Sequence, residues 1–481
     1  MVIEQKFISG VKWSAISRIA LQITQILITV ILARLLVPDD FGLLGMAVVF
    51  TSFVTIFNDF GIGSAIIQKQ NLNNKQLSSI FLFNILIGFF MVLISIIAAP
   101  IIAEFFNQPL LTSVIYIMSL SFIFISVCIV KNSLLIKDFN FKKITFLELF
   151  STIFSGVFGI ILAFMGYGVW SLVWQNVSMN FIYAILLWST HNWMPEIYFN
   201  WRDIRSIIGF SSNLSGFNLL NYFSRNADRL LIGKFLGMTA LGYYNFAYTL
   251  MLYPLSNISS VLSRVMFPAL SQIQHDNAKF RLFFLKSTKY IAFISFPMML
   301  GLFALADEFI LTIFGEKWSQ VILLIKILSI VGLIQSIEST VGTIYLSKGR
   351  TGWMFLWGIF ESILVVGTIV ISLRWGINGV VIGYAIVNVF LAYFTFAIPF
   401  KLIDLKVIDL ILSLKNEIAT SLIMFFVIII FTSIQRYYLL PGNIILLSGI
   451  SIGALTYFIA TIKLNNTTYR ELKSHILSGV K

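Results

Sequence analysis

Apolar residues come in long runs separated by short polar connectors, and each run is about the ~20 residues that a bilayer requires. The runs fall near 10–36, 41–67, 77–103, 110–131, 142–165, 168–190, 205–233, 240–270, 281–306, 319–346, 350–373, 376–400, 412–434 and 441–463. The pattern predicts an all-α, polytopic integral membrane protein with 14 transmembrane helices. An even count puts both termini on one side. Lysines and arginines choose that side: Lys69, Lys137, Lys143, Arg205, Arg281, Lys348 and others occupy alternate connectors on the side of the termini. The opposite connectors hold Arg34, Lys234, Lys317, Arg374 and Arg436, together with Asp39, Asp40, Glu104, Asp307, Glu308 and Glu316. By the positive-inside rule both termini are cytoplasmic.

Composition strengthens this reading. Of 481 residues, 58% are hydrophobic and 11% charged, with mean hydropathy +0.93; soluble domains carry about a quarter charged residues. The polar leader 1–10 lacks a following small-residue cleavage site, so the first run reads as a transmembrane helix and not a signal peptide. Cys128 is the sole cysteine and excludes an intrachain disulfide. The net charge of +13 is spread over connectors and forms no basic block, so it reports topology and not nucleic-acid binding.

The chain also repeats itself. Ala33-Arg34-Leu35-Leu36 with Phe41-Gly42 returns as Gly233-Lys234-Phe235-Leu236 with Leu241-Gly242, without a gap. Gly166-Tyr167-Gly168-Val169 is echoed by Gly376-Ile377-Asn378-Gly379-Val380. An even number of spans per half makes the repeat parallel, and repeated halves mark transporters with a path between them. The expected division is an N-terminal lobe at 1–200, a C-terminal lobe at 201–403 and two appended helices with a tail at 404–481.

The seventh run is the polar anomaly. Arg225, Asp228 and Arg229 within 210–236 cannot face lipid, since each charge at a helix centre costs roughly 2.5–3.5 kcal/mol. Asn218, Asn221, Arg225 and Asp228/Arg229 recur every three or four residues and share one face. Guanidinium groups one turn apart suit a pyrophosphate, and the asparagines suit sugar hydroxyls. Alternatively, Asp228 neutralises one arginine in a structural pair. Arg18 and Asp59 lie at similar depth on neighbouring helices and could pair, structurally or as a gate. Lys326 lies near the depth of Arg225 and suits an outward-open basic pocket, or snorkels; Arg264, close to the cytoplasmic end of its helix, lines the cavity or snorkels to the interface. Glu338 and Glu361, well inside the membrane, are either proton or sodium carriers or structural acids. The tryptophans read as an interfacial belt, including Trp188 and Trp318, while Gly156 and Gly159 permit close helix approach. No Walker A motif, metal-ligand cluster or nucleophile elbow is present, so the chain reads as a non-enzyme without metal or cofactor.

The strings LARLLVPDDFGLLGMA (32–47), FNDFGIGSAIIQ (57–68), NADRLLIGKFLG (226–237) and LGYYNFAYTLMLYPLSNISSVLSRVMFPALSQIQ (241–274) resemble the Wzx-type polysaccharide exporters. Those belong to the multidrug/oligosaccharidyl-lipid/polysaccharide (MOP) superfamily, and the branch resembled contains colanic and teichuronic acid exporters. The resemblance implies two six-helix lobes around a central cavity, with the last two helices outside. It implies a bacterial inner-membrane flippase for an undecaprenyl-pyrophosphate-linked oligosaccharide, working among membrane lipids and beside a polysaccharide polymerase, with no nucleic-acid partner. Basic residues line the cavity of the related lipid II flippases, and Arg18, Arg225, Arg229 and Arg264 are comparable in location; Asp59 stands where a cavity arginine would be expected. Two other readings are a cation-coupled multidrug exporter of the same superfamily and a membrane polymerase or glycosyltransferase. Fourteen spans and a basic seventh helix argue against the first, and short external connectors against the second.

Overall fold

The structure, a computed structural model, describes residues 20–59, 61–69, 72–190, 192–465 and 470. Within its helices, the side chains of 59, 206–221, 223–225, 254 and 256–265 lie outside the described set. Every regular element among the described residues is a helix. A lipid-facing segment has no water to satisfy its backbone, and a helix closes those bonds within itself. Nine helices among the described residues are long and apolar enough to cross a membrane. Contacts divide the chain into Met1–Gly242 and Tyr243–Lys481.

The first unit contains α1 (Ala20–Leu35), α2 (Pro38–Asp59), α3 (Ile62–Gln68), α4 (Asn74–Phe106), α5 (Leu110–Lys137), α6 (Phe141–Phe164) and α7 (Val169–Thr190). It also takes α8 (Trp201–Gln272) as far as Gly242. Pro38 opens α2, where its missing N–H is no loss, and the Val37 N–H is taken by Asp40 Oδ2 at 3.1 Å. The run read as one span over 41–67 is interrupted at Gly61 in the left-handed region (φ 68°), behind which α3 starts. The spans read at 205–233 and 240–270 form one long trace, parted at Gly237 (φ 83°, ψ −177°).

Outward-facing side chains are apolar: Phe90, Ile97 and Ile101 of α4 are 57%, 61% and 64% exposed, as lipid contact requires. The polar residues turn inward instead. Fully buried Asn58, Ser126 and Asn84 join three helices. Asn58 Nδ2 donates to the Phe122 carbonyl at 3.3 Å, Ser126 Oγ to Asn58 Oδ1 at 3.0 Å, and Asn84 Nδ2 to the Ser126 carbonyl at 3.0 Å. Bonds of this kind hold helices together where the hydrophobic effect is absent. Lys131 leaves the connector role it has in the sequence: it is fully buried, with Nζ 3.7 Å from the centroid of Trp188.

The repeated motifs meet within this unit. A Cβ on Gly42 would lie 1.8 Å from the Met238 carbonyl oxygen, and one on Gly242 would lie 2.1 Å from that of Pro38. The contacts are reciprocal under the 200-residue offset of the repeat. Thr239 Oγ1 donates to Asp39 Oδ1 at 2.5 Å between them, again 200 positions apart.

The second unit continues α8 and adds α9 (Asn277–Ala304), α10 (Ala306–Phe309), α11 (Val321–Glu338), α12 (Val341–Ser347), α13 (Thr351–Ser372) and α14 (Gly376–Phe400). A short α15 (Val407–Ser413) leads to α16 (Lys415–Tyr437) and α17 (Gly442–Leu464). The connector before α11 is not a loop. It folds as α10, a π turn at Ile310–Phe314 and a 3₁₀ turn at Glu316–Trp318. Trp318 there is fully buried and stacks on Phe246 at 4.1 Å, so it is core and not interfacial belt.

Two devices tie α16 and α17 to the rest of this unit. Pro297 lacks the N–H that would bond the Phe293 carbonyl one turn back, and Tyr457 of α17 donates its hydroxyl to that carbonyl at 2.6 Å. Arg436 of α16 holds buried Glu308 through two bonds, Nε–Oε1 at 2.6 Å and Nη2–Oε2 at 2.8 Å. The same Nη2 lies 3.5 Å from Asp307 Oδ2, which receives Lys326 Nζ at 2.6 Å. Two cations and two carboxylates thus form one neutral network over α10, α11 and α16.

Gly42→Leu should lower the melting temperature of the purified protein by an amount equivalent to about 1–3 kcal/mol, because a backbone carbonyl cannot yield to the new side chain. Gly352→Ala, with nothing within 4 Å, is the control and should leave the melting temperature unchanged. Arg436→Ala should destabilise by about 1–3 kcal/mol through the stranded Glu308 carboxylate. Combining it with Glu308→Gln should recover most of that loss in the same thermal assay.

Candidate functional site

The polar face of α8 is anchored on α2. Tyr222 donates its hydroxyl to the Val49 carbonyl, and its ring packs against Phe53 at 5.6 Å. One turn on, Asn226 Nδ2 donates to the Tyr222 carbonyl at 3.0 Å, and Asn226 Oδ1 accepts from Arg229 Nη1 at 3.2 Å. Tyr222, Asn226 and Arg229 therefore occupy one face at spacings of four and three. Asp228 Oδ1 accepts from the Arg229 backbone N–H at 2.7 Å, a bond to the main chain beside the guanidinium. Arg229 is half-buried.

Asn226 was not singled out by the sequence reading, although it lies three residues before Arg229 on the same stripe. Asn218, Asn221 and Arg225 continue the helical trace of α8, and their side chains are outside the described residues. Arg18 lies outside the described residues altogether, and so do the side chains of Asp59 and Arg264.

The remaining expected residues belong to two locations. Lys326 is engaged by Asp307 in the charged network and is not an isolated basic group. Glu338 and Glu361 are half-buried and near enough for their charges to interact, with the buried Tyr345 phenol also within electrostatic reach of Glu361. Glu338 is the last residue of α11, where the run read as one span over 319–346 breaks before α12. Asp59 lies two residues before Gly61, whose left-handed φ of 68° marks the other interruption. Two of the four residues expected to gate or couple thus lie at helix breaks. Broken helices free backbone groups in membrane transporters and are tolerated where they line protein or a cavity. Among the described residues no group of three His, Cys, Asp or Glu side chains is arranged to hold a metal.

Asp276 caps α9, its Oδ1 accepting the Lys279 N–H at 3.0 Å, and that bond holds its carboxyl below the usual carboxylate range.

Comparison with known proteins gives these features a family. A family profile described as polysaccharide biosynthesis protein matches residues 31–323. The teichuronic acid biosynthesis protein TuaB of Bacillus subtilis (strain 168) is 30% identical over 74% of this chain and 74% of its own. The lipopolysaccharide biosynthesis protein WzxC of Escherichia coli (strain K12) is 28% identical over 83% of this chain and 82% of its own. Among solved structures, the lipid II flippase MurJ in an inward closed conformation matches with a TM-score of 0.73. It is 19% identical and covers 97% of this chain and 99% of that chain, which shows a shared fold. A chain with this match over 31–323 and these curated relatives belongs to the polysaccharide biosynthesis protein family.

Proposed function

We propose that the protein is a flippase, carrying an undecaprenyl-pyrophosphate-linked oligosaccharide repeat unit across the bacterial inner membrane by alternating access. The observation that carries the reading is a lipid II flippase fold in a chain whose family and relatives are named for polysaccharide biosynthesis. Both termini are cytoplasmic in this reading, and the lobes run over 1–200 and 201–403 with 404–481 appended. The lipid tail stays among membrane lipids while the head group crosses, and a polysaccharide polymerase takes up the product outside.

The chemistry follows from α8. Arg225 and Arg229, one turn apart, bind the pyrophosphate oxygens through their forked donors. Asn218 and Asn221 bond the sugar hydroxyls, with Arg18 adding positive charge. The Asn226–Arg229 bond supports this role, because it orients the guanidinium before substrate arrives. Lys326 contributes by exchanging Asp307 for a phosphate oxygen. Asp59, Asp228, Glu338 and Glu361 serve gating and ion coupling, and the positions of Asp59 and Glu338 at helix breaks support such movement. With no nucleotide-binding motif in the sequence, the driving force is an ion gradient or removal of product.

Deleting the gene should leave complete lipid-linked repeat units in the cytoplasmic leaflet, measured by accessibility to a membrane-impermeant reagent. Units that are flipped but unpolymerised would assign the chain to polymerisation instead. Arg225→Ala and Arg229→Ala should each cut polymer export on the order of ten- to a hundred-fold at unchanged protein level, the loss expected from one charge-assisted phosphate contact. Full export by both variants sinks the pyrophosphate-contact assignment.

A further inference from the structure

Helices α13 and α14 leave an open groove of about 630 Å³ beside the 3₁₀ turn, Leu373–Trp375, that joins them. Two stripes of α14 shape it. Gly379, Gly383 and Val387 recur every four residues and form its floor, while Asn378, Ile382, Ile386 and Phe390 recur likewise and form its wall. The floor has room for no side chain at its glycines: a Cβ on Gly383 would lie 2.2 Å from Ser372 Oγ, and one on Gly379 2.4 Å from Trp375 Cβ. Ile382, Ile386 and Phe390 are 45%, 64% and 61% exposed, so the groove opens toward lipid. From Trp375 to Phe390 it runs roughly 22 Å along the helix, more than half of the ~30 Å hydrocarbon core.

One end of the groove is polar. Ser372 lines it and is 4% exposed, yet its hydroxyl makes no hydrogen bond among the described residues. Other serines of α11 and α13 turn the proton to the carbonyl four residues back, Ser362 to Gly358 at 2.7 Å and Ser329 to Ile325 at 2.6 Å. Ser372 makes no such bond to Thr368. No side chain caps α14 at its start, which leaves first-turn N–H groups at the mouth of the groove. The Arg374 guanidinium carbon lies 4.0 Å from the centre of the Trp375 ring, which lines that mouth. Arg374 is exposed, and it is the only charged residue between Glu361 and Lys401.

We propose that this groove binds one anionic glycerophospholipid drawn from the bilayer. Its phosphate sits between Arg374 and the start of α14, Ser372 donates to an ester carbonyl, and an acyl chain lies over Gly379 and Gly383. Each part of the lipid meets the chemistry it needs. A guanidinium and a helix start both favour a phosphodiester. Gly383, beside the Ser372 hydroxyl, is five residues below Asn378, roughly 7–8 Å along the helix. A glycerophospholipid carries its ester carbonyls below the phosphate, on the side of the chains, where Ser372 has a proton to give. A polyprenyl pyrophosphate has no carbonyl at that depth. A zwitterionic headgroup brings a cation with it, and residues 362–400 hold no carboxylate to receive one. The inference is independent of which substrate the protein carries.

The test uses the full-length protein, delipidated in detergent and titrated with phosphatidylglycerol or phosphatidylcholine, with lipid-bound species counted by native mass spectrometry. The first phosphatidylglycerol should bind about ten-fold more tightly than phosphatidylcholine, the size of one charge-assisted contact. Arg374→Ala should erase that preference, and Arg374→Lys should keep part of it. Ser372→Ala should weaken binding of the diester lipid about three- to ten-fold and leave binding of diether phosphatidylglycerol unchanged. A merely structural serine would not separate the two lipids. Equal affinity for phosphatidylglycerol and phosphatidylcholine overturns the site. So does a preference that survives Arg374→Ala and is lost in the Lys142→Ala, Lys143→Ala double variant, which assigns it to the basic groove between α6 and α7. Displacement of phosphatidylglycerol by an equal concentration of undecaprenyl phosphate overturns it in favour of a polyprenyl lipid. A lipid-free dimer that Arg374→Ala dissociates overturns it in favour of a second copy of the chain.

Discussion

Backbone meets backbone where the two copies of the repeat touch, and only glycine permits that distance. Gly42 lies against the carbonyl of Met238 and Gly242 against that of Pro38, each too close for any Cβ. The Thr239–Asp39 bond sits between them at the same 200-residue offset. This reciprocal contact fixes the start of α2 against the second part of α8 beyond Gly237. The polar stripe of α8 begins one turn or more before that point, so the geometry of the candidate site is set from the glycine contact backwards. The sequence repeat thus has a mechanical meaning, since the strings that recur are the ones that touch.

Away from that contact the chain solves one problem repeatedly: polar groups inside lipid need partners on other helices. Asn58, Ser126 and Asn84 solve it among themselves. Tyr457 solves it for the carbonyl that Pro297 strands. Arg436 and Lys326 solve it for Glu308 and Asp307, and in doing so fasten α16 to α10 and α11. On α8 the same logic has Asn226 accept from Arg229 and donate to the Tyr222 carbonyl.

Much of the fold was legible in the chain. The all-helical class, the repeat and most helix limits follow from apolar run length and from glycine and proline punctuation. What escaped was tertiary in cause. The connector at 307–319 reads only as too short to be a domain, and it folds into helical turns because Trp318, Phe314 and Ile310 find a core to fill. Lys131 counts as a connector charge, but Trp188 of another helix gives it a buried aromatic face. Lys326 reads along the chain as a lone basic residue, and only packing brings Asp307 beside it.

Sequence alone determined that this chain spans a membrane as helices, that short strings recur in it at a 200-residue offset, and that the stretch 210–236 carries charges lipid would reject. Those conclusions rest on local properties, since a span's hydropathy and its internal hydrogen bonds do not depend on neighbours. Tertiary structure decided which charges are engaged, where the helices break, and which glycines bear the contact between repeats. A partner for a buried polar group lies on another helix, often a hundred or more residues away, as Glu308 and Arg436 or Phe293 and Tyr457 do. No spacing rule along one helix can supply that pairing, so it becomes visible only once the helices are packed.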